Sequence, residues 1–197
     1  MTKKELRSHF RQIRNNIPSE VREKLSNIIQ GELIRYMSVS VKPDAILLYA
    51  PTGSEVDTTR IRDYACQFEI PLFYPKVTGE HSMVFLQYNS TNSLSKGAFG
   101  IDEPDEGTDY NSVKDTFRNP VCIVPGLTFS SSGARCGYGK GFYDFFLSEC
   151  PERFVKAAFV FSDCISYEEF AEGNDVPMDL LITEKGIINC EHSGSCL

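Results

Sequence analysis

The residues best placed by type to do chemistry lie between 126 and 144. The segment reads Gly126-Leu-Thr-Phe-Ser-Ser-Ser-Gly133-Ala-Arg135-Cys-Gly137-Tyr-Gly139-Lys140-Gly141-Phe-Tyr143-Asp144. Glycines at 137, 139 and 141 carry no Cβ, so neighbouring backbone N–H groups can converge on an anion. Arg135 and Lys140 bracket the first two and can pair with phosphate oxygens. A helix is expected to start near Gly141, aiming its N-terminal partial charge at the same loop. Asp144 then falls on its first turn, where a metal bridging phosphates would be held. The known phosphate fingerprints do not fit. A Walker A loop needs Gly at 134 and Ser or Thr at 141, where the chain has Ala134 and Gly141. A dinucleotide fingerprint needs Gly at 142, where it has Phe142. Residue types alone leave a phosphate-binding loop of unassigned type, set against the plainer reading of a tight strand-to-helix turn.

Three other places carry chemical groups. Ser54-Glu55-Val56-Asp57-Thr58 follows an apolar run, and open α/β sheets bind ligands beyond such strand ends. Glu55 is either a ligand contact or an ordinary first-turn helix acid. Asn174-Asp175-Val-Pro-Met-Asp179 offers Asp175 as a second metal carboxylate and Asp179 as a cap or structural partner; both also read as plain loop acids. Lys3, Arg7, Arg11 and Arg14 recur at helical spacing. That stripe is either a solvated face or a place for an anion.

These groups must be positioned by regular elements. Thr2 and Glu5 form a capping box for a first helix with Leu6, Phe10 and Ile13 on its apolar side. Pro18 ends it, and Ser19 is expected to cap a second helix bearing Val21, Leu25, Ile28, Ile29 and Leu33. The apolar runs 45–50, 71–77, 121–125 and 154–161 read as buried strands of a parallel sheet. A helix is expected from about Asp57 to Gln67 and another from Gly141 to about Cys150. Residues 82–88 alternate like an antiparallel edge strand. Residues 180–183 and 186–189 read as a closing hairpin. The stretch 89–119 reads as acidic loop. Strands alternating with helices give an α/β fold.

The composition excludes several classes. The chain has 197 residues, with 20 Lys+Arg against 27 Asp+Glu, a net charge of −7. With 41% hydrophobic and 12% aromatic residues it can fill a core, which removes intrinsic disorder. An acidic chain is a poor partner for a nucleic-acid backbone. No run approaches the ~18 apolar residues of a membrane span. Residues 1–35 are nevertheless net +4, so the rest is −11. That split favours a local anionic ligand over a polyanion. The seven cysteines are odd in number, widely spaced and without C-x-x-C. They read as reduced thiols of a cytoplasmic protein, not as a disulfide framework or zinc site. One domain spanning 1–197 is expected, with a frayed tail over about 190–197.

Taken in order, these pieces resemble the 5-formyltetrahydrofolate cyclo-ligase (methenyltetrahydrofolate synthetase) family. The basic first helix and the Glu55-Val-x-Thr stretch precede Phe99-Gly-Ile-x-Glu-Pro. The loop from Val124-Pro-Gly to Tyr143-Asp144 and Asn174-Asp-Val-Pro-x-Asp follow, so the resemblance covers residues 2–187. It implies a single-domain, three-layer α/β sandwich with a mostly parallel sheet and a small antiparallel edge or hairpin. It also implies a cytoplasmic monomer. The implied reaction is ATP- and Mg2+-dependent cyclisation of 5-formyltetrahydrofolate, possibly polyglutamylated, to 5,10-methenyltetrahydrofolate. ADP and phosphate are released through a phosphorylated formyl group.

Carried over, Lys3 and Arg7 match ATP contacts. Arg135, Gly137, Tyr138, Gly139, Lys140, Gly141, Phe142 and Tyr143 match the nucleotide loop, with Arg135, Lys140 and Tyr143 taken as catalytic. Ala50, Glu55, Phe99 and residues 138–142 match substrate contacts, and Phe99 stands where an aromatic stacks on the pterin. Asp144 and Asp175 match the magnesium carboxylates. The chain departs from the family pattern at Ser130, Cys136 and Asn174. Cys136 in an anion-binding loop is either a thiol of lowered pKa or a small hydrophobe facing the core. Two other readings of the chain are a non-catalytic folate or nucleotide binder and a sugar-phosphate or coenzyme A enzyme on a similar fold.

Overall fold

The computed structural model describes residues 1–80, 82–89, 94–151, 153–173 and 175–190. Asn174 and the tail from 191 onward lie outside the described residues. Helix α1 (Lys3–Asn16) begins on the expected capping box. Thr2 Oγ1 accepts the Glu5 N–H at 3.3 Å, and the Glu5 carboxylate accepts the Thr2 N–H at 2.8 Å. Helix α2 (Ser19–Tyr36) starts one residue earlier than expected. Pro18 holds the N-cap position at φ −56, Ser19 is already helical, and no side chain caps the end. The proline's fixed φ sets the entry that a serine hydroxyl was expected to provide. A π-turn (Met37–Val41) follows and is closed by Lys42 at φ +49.

Seven strands make the central sheet: β1 (Ala45–Leu47), β2 (Leu72–Val77), β3 (Met83–Tyr88), β6 (Pro120–Val124), β9 (Val155–Phe159), β11 (Leu180–Thr183) and β12 (Gly186–Asn189). Their order is β12-β11-β9-β6-β1-β2-β3. The five inner strands run parallel, and β3 and β12 are antiparallel edges. Ile46 pairs with Val121 and Leu47 with Phe73, so apolar runs meet side by side and are buried on both faces.

Helices cover those two faces. α3 (Thr59–Gln67) and α2 pack on one. The short α4 (Tyr110–Val113) and α5 (Phe142–Ser148) cover the other. There Phe73 meets Tyr110 edge-on at 5.3 Å, and Phe85 meets Phe146 at 4.6 Å. This is the α/β fold that the strand–helix alternation implies, in the three-layer arrangement that the family resemblance implies.

Two stretches read as loop contain further pairing. Residues 89–119 include the hairpin β4 (Leu94–Lys96) with β5 (Asp102–Pro104). The glycine-rich segment includes β7 (Thr128–Ser130) paired with β8 (Arg135–Cys136), and β10 (Ile165–Ser166) joins β7. Pairings of two or three residues leave too short a pattern to read. Helix α1 packs on β7 and β8, above the C-terminal ends of the parallel strands. No helix among the described residues is long and apolar enough to cross a membrane.

Candidate active site

A cleft of about 520 Å3 opens beyond the C-terminal ends of β1, β2 and β6. Every site residue expected from the sequence lines it: Lys3, Arg7, Ala50, Glu55, Phe99, Arg135, Gly137 to Asp144, and Asp175. Residues 172 positions apart in the chain are thus brought within hydrogen-bonding distance.

The basic stripe of α1 supplies one wall. At about 100° per residue, Lys3, Arg14 and Arg7 fall within ~40° of one another beside the apolar stripe, while Arg11 lies ~80° round from Lys3. Arg11 alone of the four is exposed, so the solvated-face reading fails for the other three. Lys3 Nζ reaches both oxygens of Asp175, at 2.8 and 2.6 Å, and Glu172 at 3.1 Å. Burial alone would lower the Lys3 pKa. The bonds to Asp175 and Glu172 outweigh it, and the ammonium is held above its ordinary value. Arg7 Nε donates to the Gly137 carbonyl at 3.0 Å.

Arg14 is a site residue that the sequence showed only as part of the stripe. It is 6% exposed and donates to three elements: Ser54 Oγ at 3.0 Å, the Gly126 carbonyl at 3.0 Å and Tyr138 Oη at 2.8 Å. Tyr138 donates onward to Glu55 Oε1. Glu55 Oε2 accepts from the Thr52 N–H at 2.8 Å and the Thr52 hydroxyl at 3.2 Å. Glu55 is therefore not a first-turn helix acid; α3 begins four residues later.

The glycine loop holds the centre. Gly139 and Gly141 lie at φ +93 and +73, conformations that favour glycine. A Cβ at Gly137 would come within 2.4 Å of Arg135 Nη1. Arg135 Nη2 donates to Asp144 Oδ2 at 2.6 Å, and its guanidinium lies 5.6 Å from the centre of the Tyr143 ring. Three buried polar atoms in this group have no protein partner: Arg135 Nε, Asp144 Oδ1 and Tyr143 Oη. Unpaired buried groups cost about 1–3 kcal/mol each, so the cluster is built for something that completes it. Burial also pushes the Tyr143 phenol well above its ordinary pKa, keeping it a neutral donor.

Asp144 and Asp175 fit a divalent cation in part. Asp144 Oδ1 has a free coordination site, whereas both Asp175 oxygens are bonded to Lys3. No cluster of three His, Cys, Asp or Glu residues forms among the described residues. An ion here would take one or two carboxylates and draw its other ligands from phosphate and water, as Mg2+ does.

Other lining residues are apolar: Pro75, Val77, Met83, Phe99, Ile101 and Phe142, with Glu103 as the acid among them. Phe99 is 67% exposed and sits at φ +60, an uncommon conformation for a bulky residue. Its ring lies 5.5 Å from Lys140 Nζ and 6.3 Å from the Phe142 ring. Such a strained, exposed aromatic at a cleft mouth suits stacking on a planar ligand.

Cys136 takes the core reading. It is 1% exposed, and burial pushes its thiol up, against the lowering effect of Arg7, Lys3 and Arg135. Asp179 is structural, accepting from the Lys156 N–H at 2.7 Å and pairing with Lys156 Nζ at 3.0 Å.

Comparison with known proteins finds relatives over nearly the whole chain. The profile of the 5-formyltetrahydrofolate cyclo-ligase family matches residues 1–184. A 5-formyltetrahydrofolate cyclo-ligase of Mycolicibacterium smegmatis is 27% identical over 192 residues, covering 95% of this chain and 96% of that protein. The solution structure of Aquifex aeolicus 5,10-methenyltetrahydrofolate synthetase superimposes with a TM-score of 0.82 at 31% identity, covering 100% of this chain and 97% of the other. A Mycoplasma pneumoniae synthetase shares the fold with a TM-score of 0.74 at 22% identity. The chain belongs to the 5-formyltetrahydrofolate cyclo-ligase family and is a ligase.

Proposed function

We propose that the chain cyclises 5-formyltetrahydrofolate to 5,10-methenyltetrahydrofolate, using ATP with Mg2+ and releasing ADP and phosphate. The carrying observation is that one cleft is lined by two chemically different sets of groups. Lys3, Arg7, Arg135, Lys140 and the glycine loop supply cations and backbone donors, with Asp144 and Asp175 among them. Phe99 and the apolar lining residues suit a flat heterocycle. The named relatives supply the substrate class, and the two sets of groups supply a reason for two ligands.

The chemistry asks for little from side chains beyond placement and charge. The formyl oxygen is a poor leaving group. Transfer of the γ-phosphoryl group to that oxygen makes it a good one, and N10 then closes the ring as phosphate departs. Arg135 and Lys140 neutralise charge on the transferring group. Tyr143, held neutral, donates a hydrogen bond from the wall. Glu55, fixed by Thr52 and Tyr138, orients the folate. Mg2+, when bound through Asp144 and Asp175, would screen the triphosphate charge. We further place the protein in the cytoplasm as a one-domain monomer, as the resemblance to the family implies.

The test is direct. 5-Formyltetrahydrofolate is mixed with the protein and Mg2+, with and without ATP, and absorbance of the methenyl product is followed. Product only with ATP, in step with ADP release, supports the reading. Binding of folate without product makes the protein a binding module, and turnover of the folate without ATP removes the phosphorylation step.

A further inference from the structure

We propose that Glu103 is a specificity residue of the cleft, a carboxylate that reads the paired N–H donors of an aminopyrimidinone edge such as that of a reduced pterin. The inference rests on the folate reading above and adds to it a residue that the sequence pattern left without a role.

Glu103 sits on β5 and is 6% exposed, yet it lines the cleft. Its wall neighbours there are Val77, Met83, Phe99 and Ile101. Oε1 accepts one long hydrogen bond, 3.4 Å from the Val77 N–H. Among the described residues Oε2 accepts none, and no cation lies within 4.0 Å of the carboxylate. Oε2 is not among the fully buried unpaired atoms, so it opens on the cleft, where the donors of a ligand can reach it and would bury it with a partner. At Gly97, next to the end of β4, a Cβ would run into the Glu103 carboxylate, so a larger residue there would displace that side chain.

Glu55, the other acid in the cleft, gives the contrast. Its two oxygens already take three protein donors, from Thr52 and Tyr138. Glu55 is thus a fixed wall, and Glu103 is the acid with acceptor capacity to spare. An acid among apolar residues of a cleft that also carries an exposed aromatic selects a flat ring with donors on its edge. A 2-amino-4-oxopyrimidine presents two parallel N–H groups, and a carboxylate receives them with both oxygens. A site built to satisfy such donors rejects an analogue lacking one, because the acceptor is then left buried and unpaired.

The experiment measures binding by isothermal titration of the wild-type protein and of Glu103→Gln. The probes are 5-formyltetrahydrofolate, its 2-desamino analogue and Mg2+–ATP. Wild type is expected to prefer the amino compound by about 10- to 100-fold. Glu103→Gln should bind the two folates within about threefold of each other, with ATP affinity unchanged. Wild-type discrimination retained in Glu103→Gln overturns the assignment. So does wild type binding both folates alike, a result that needs no variant and decides the matter even if Glu103→Gln fails to fold. A carboxylate that merely anchors the Val77 N–H would lower the melting temperature in the variant and leave the discrimination intact. If wild type neither binds nor converts 5-formyltetrahydrofolate, the folate reading itself fails, an outcome separate from these.

Discussion

Replacing Arg14 by Ala should unfold part of what the cleft depends on, and the size of the effect follows from its partners. Arg14 makes hydrogen bonds to Ser54 Oγ, the Gly126 carbonyl and Tyr138 Oη, at 3.0, 3.0 and 2.8 Å. Bonds from a charged donor are worth about 1.5–3 kcal/mol each when both ends are buried. The Ser54 bond is buried but the Gly126 carbonyl is only partly so, and both acceptors are neutral, so these two count near the lower figure. Tyr138 is 44% exposed, so water replaces much of the third. The loss comes to about 3–4 kcal/mol. For a domain of this length that is a fall in melting temperature of about 6–16 °C. Urea denaturation and calorimetry of Arg14→Ala measure it, and Arg14→Lys, which can keep one of the three bonds, should lose roughly half as much. Folate affinity should fall with stability, since Tyr138 and Glu55 share the chain of bonds. A loss below about 1 kcal/mol in Arg14→Ala, with folate affinity unchanged, would refute the claim that this guanidinium holds three loops together.

Four more expectations follow from the same geometry. Asp144→Asn should lower turnover on the order of 100-fold and weaken Mg2+–ATP binding; full activity would remove Asp144 from the metal assignment. Glu55→Ala should weaken folate binding more than ATP binding, read by titrating each ligand alone. The Lys3 ammonium is held above its ordinary value of 10.5, so its stabilising contribution is complete below that pH and fades as pH rises through the folded value. The stability gap between wild type and Lys3→Met should accordingly be constant from neutrality to about pH 10 and shrink above it, by denaturation at each pH. Among the six described cysteines, iodoacetamide at pH 8 should label exposed Cys66 first by peptide mapping. Burial keeps Cys122 and Cys136 protonated and pushes Cys150 and Cys164 to about 11 and Cys190 to about 12. Prompt labelling of Cys136 would restore the reactive-thiol reading.

Much of the architecture is local enough to be legible in the chain. The Thr2–Glu5 capping box is complete within four residues, and continuous apolar runs such as 120–124 belong in the middle of a parallel sheet because both faces are covered. Elements decided by other segments were not legible. Ser19 looked like a cap because its type favours one, but the preceding Pro18 set the helix start. The β7–β8–β10 sheet pairs only two or three residues per strand, and no periodicity marks it.

The candidate site divides in the same way. Residue types and spacing determined the glycine loop with Arg135, Lys140 and Asp144, since backbone freedom and charge are properties of the residues themselves. They also placed Lys3 and Arg7 on one helix face. What each group touches depends on packing between segments far apart in the chain. Only the tertiary structure decided that Arg14 is buried and joins three loops, that Cys136 faces the core, and that Lys3 is tied to Asp175 across 172 positions. It alone set Glu103 in an apolar wall with an oxygen to spare. Burial is a sum over neighbours brought in by the fold, and it converts an ordinary carboxylate in an acidic stretch into a group with one chemical task.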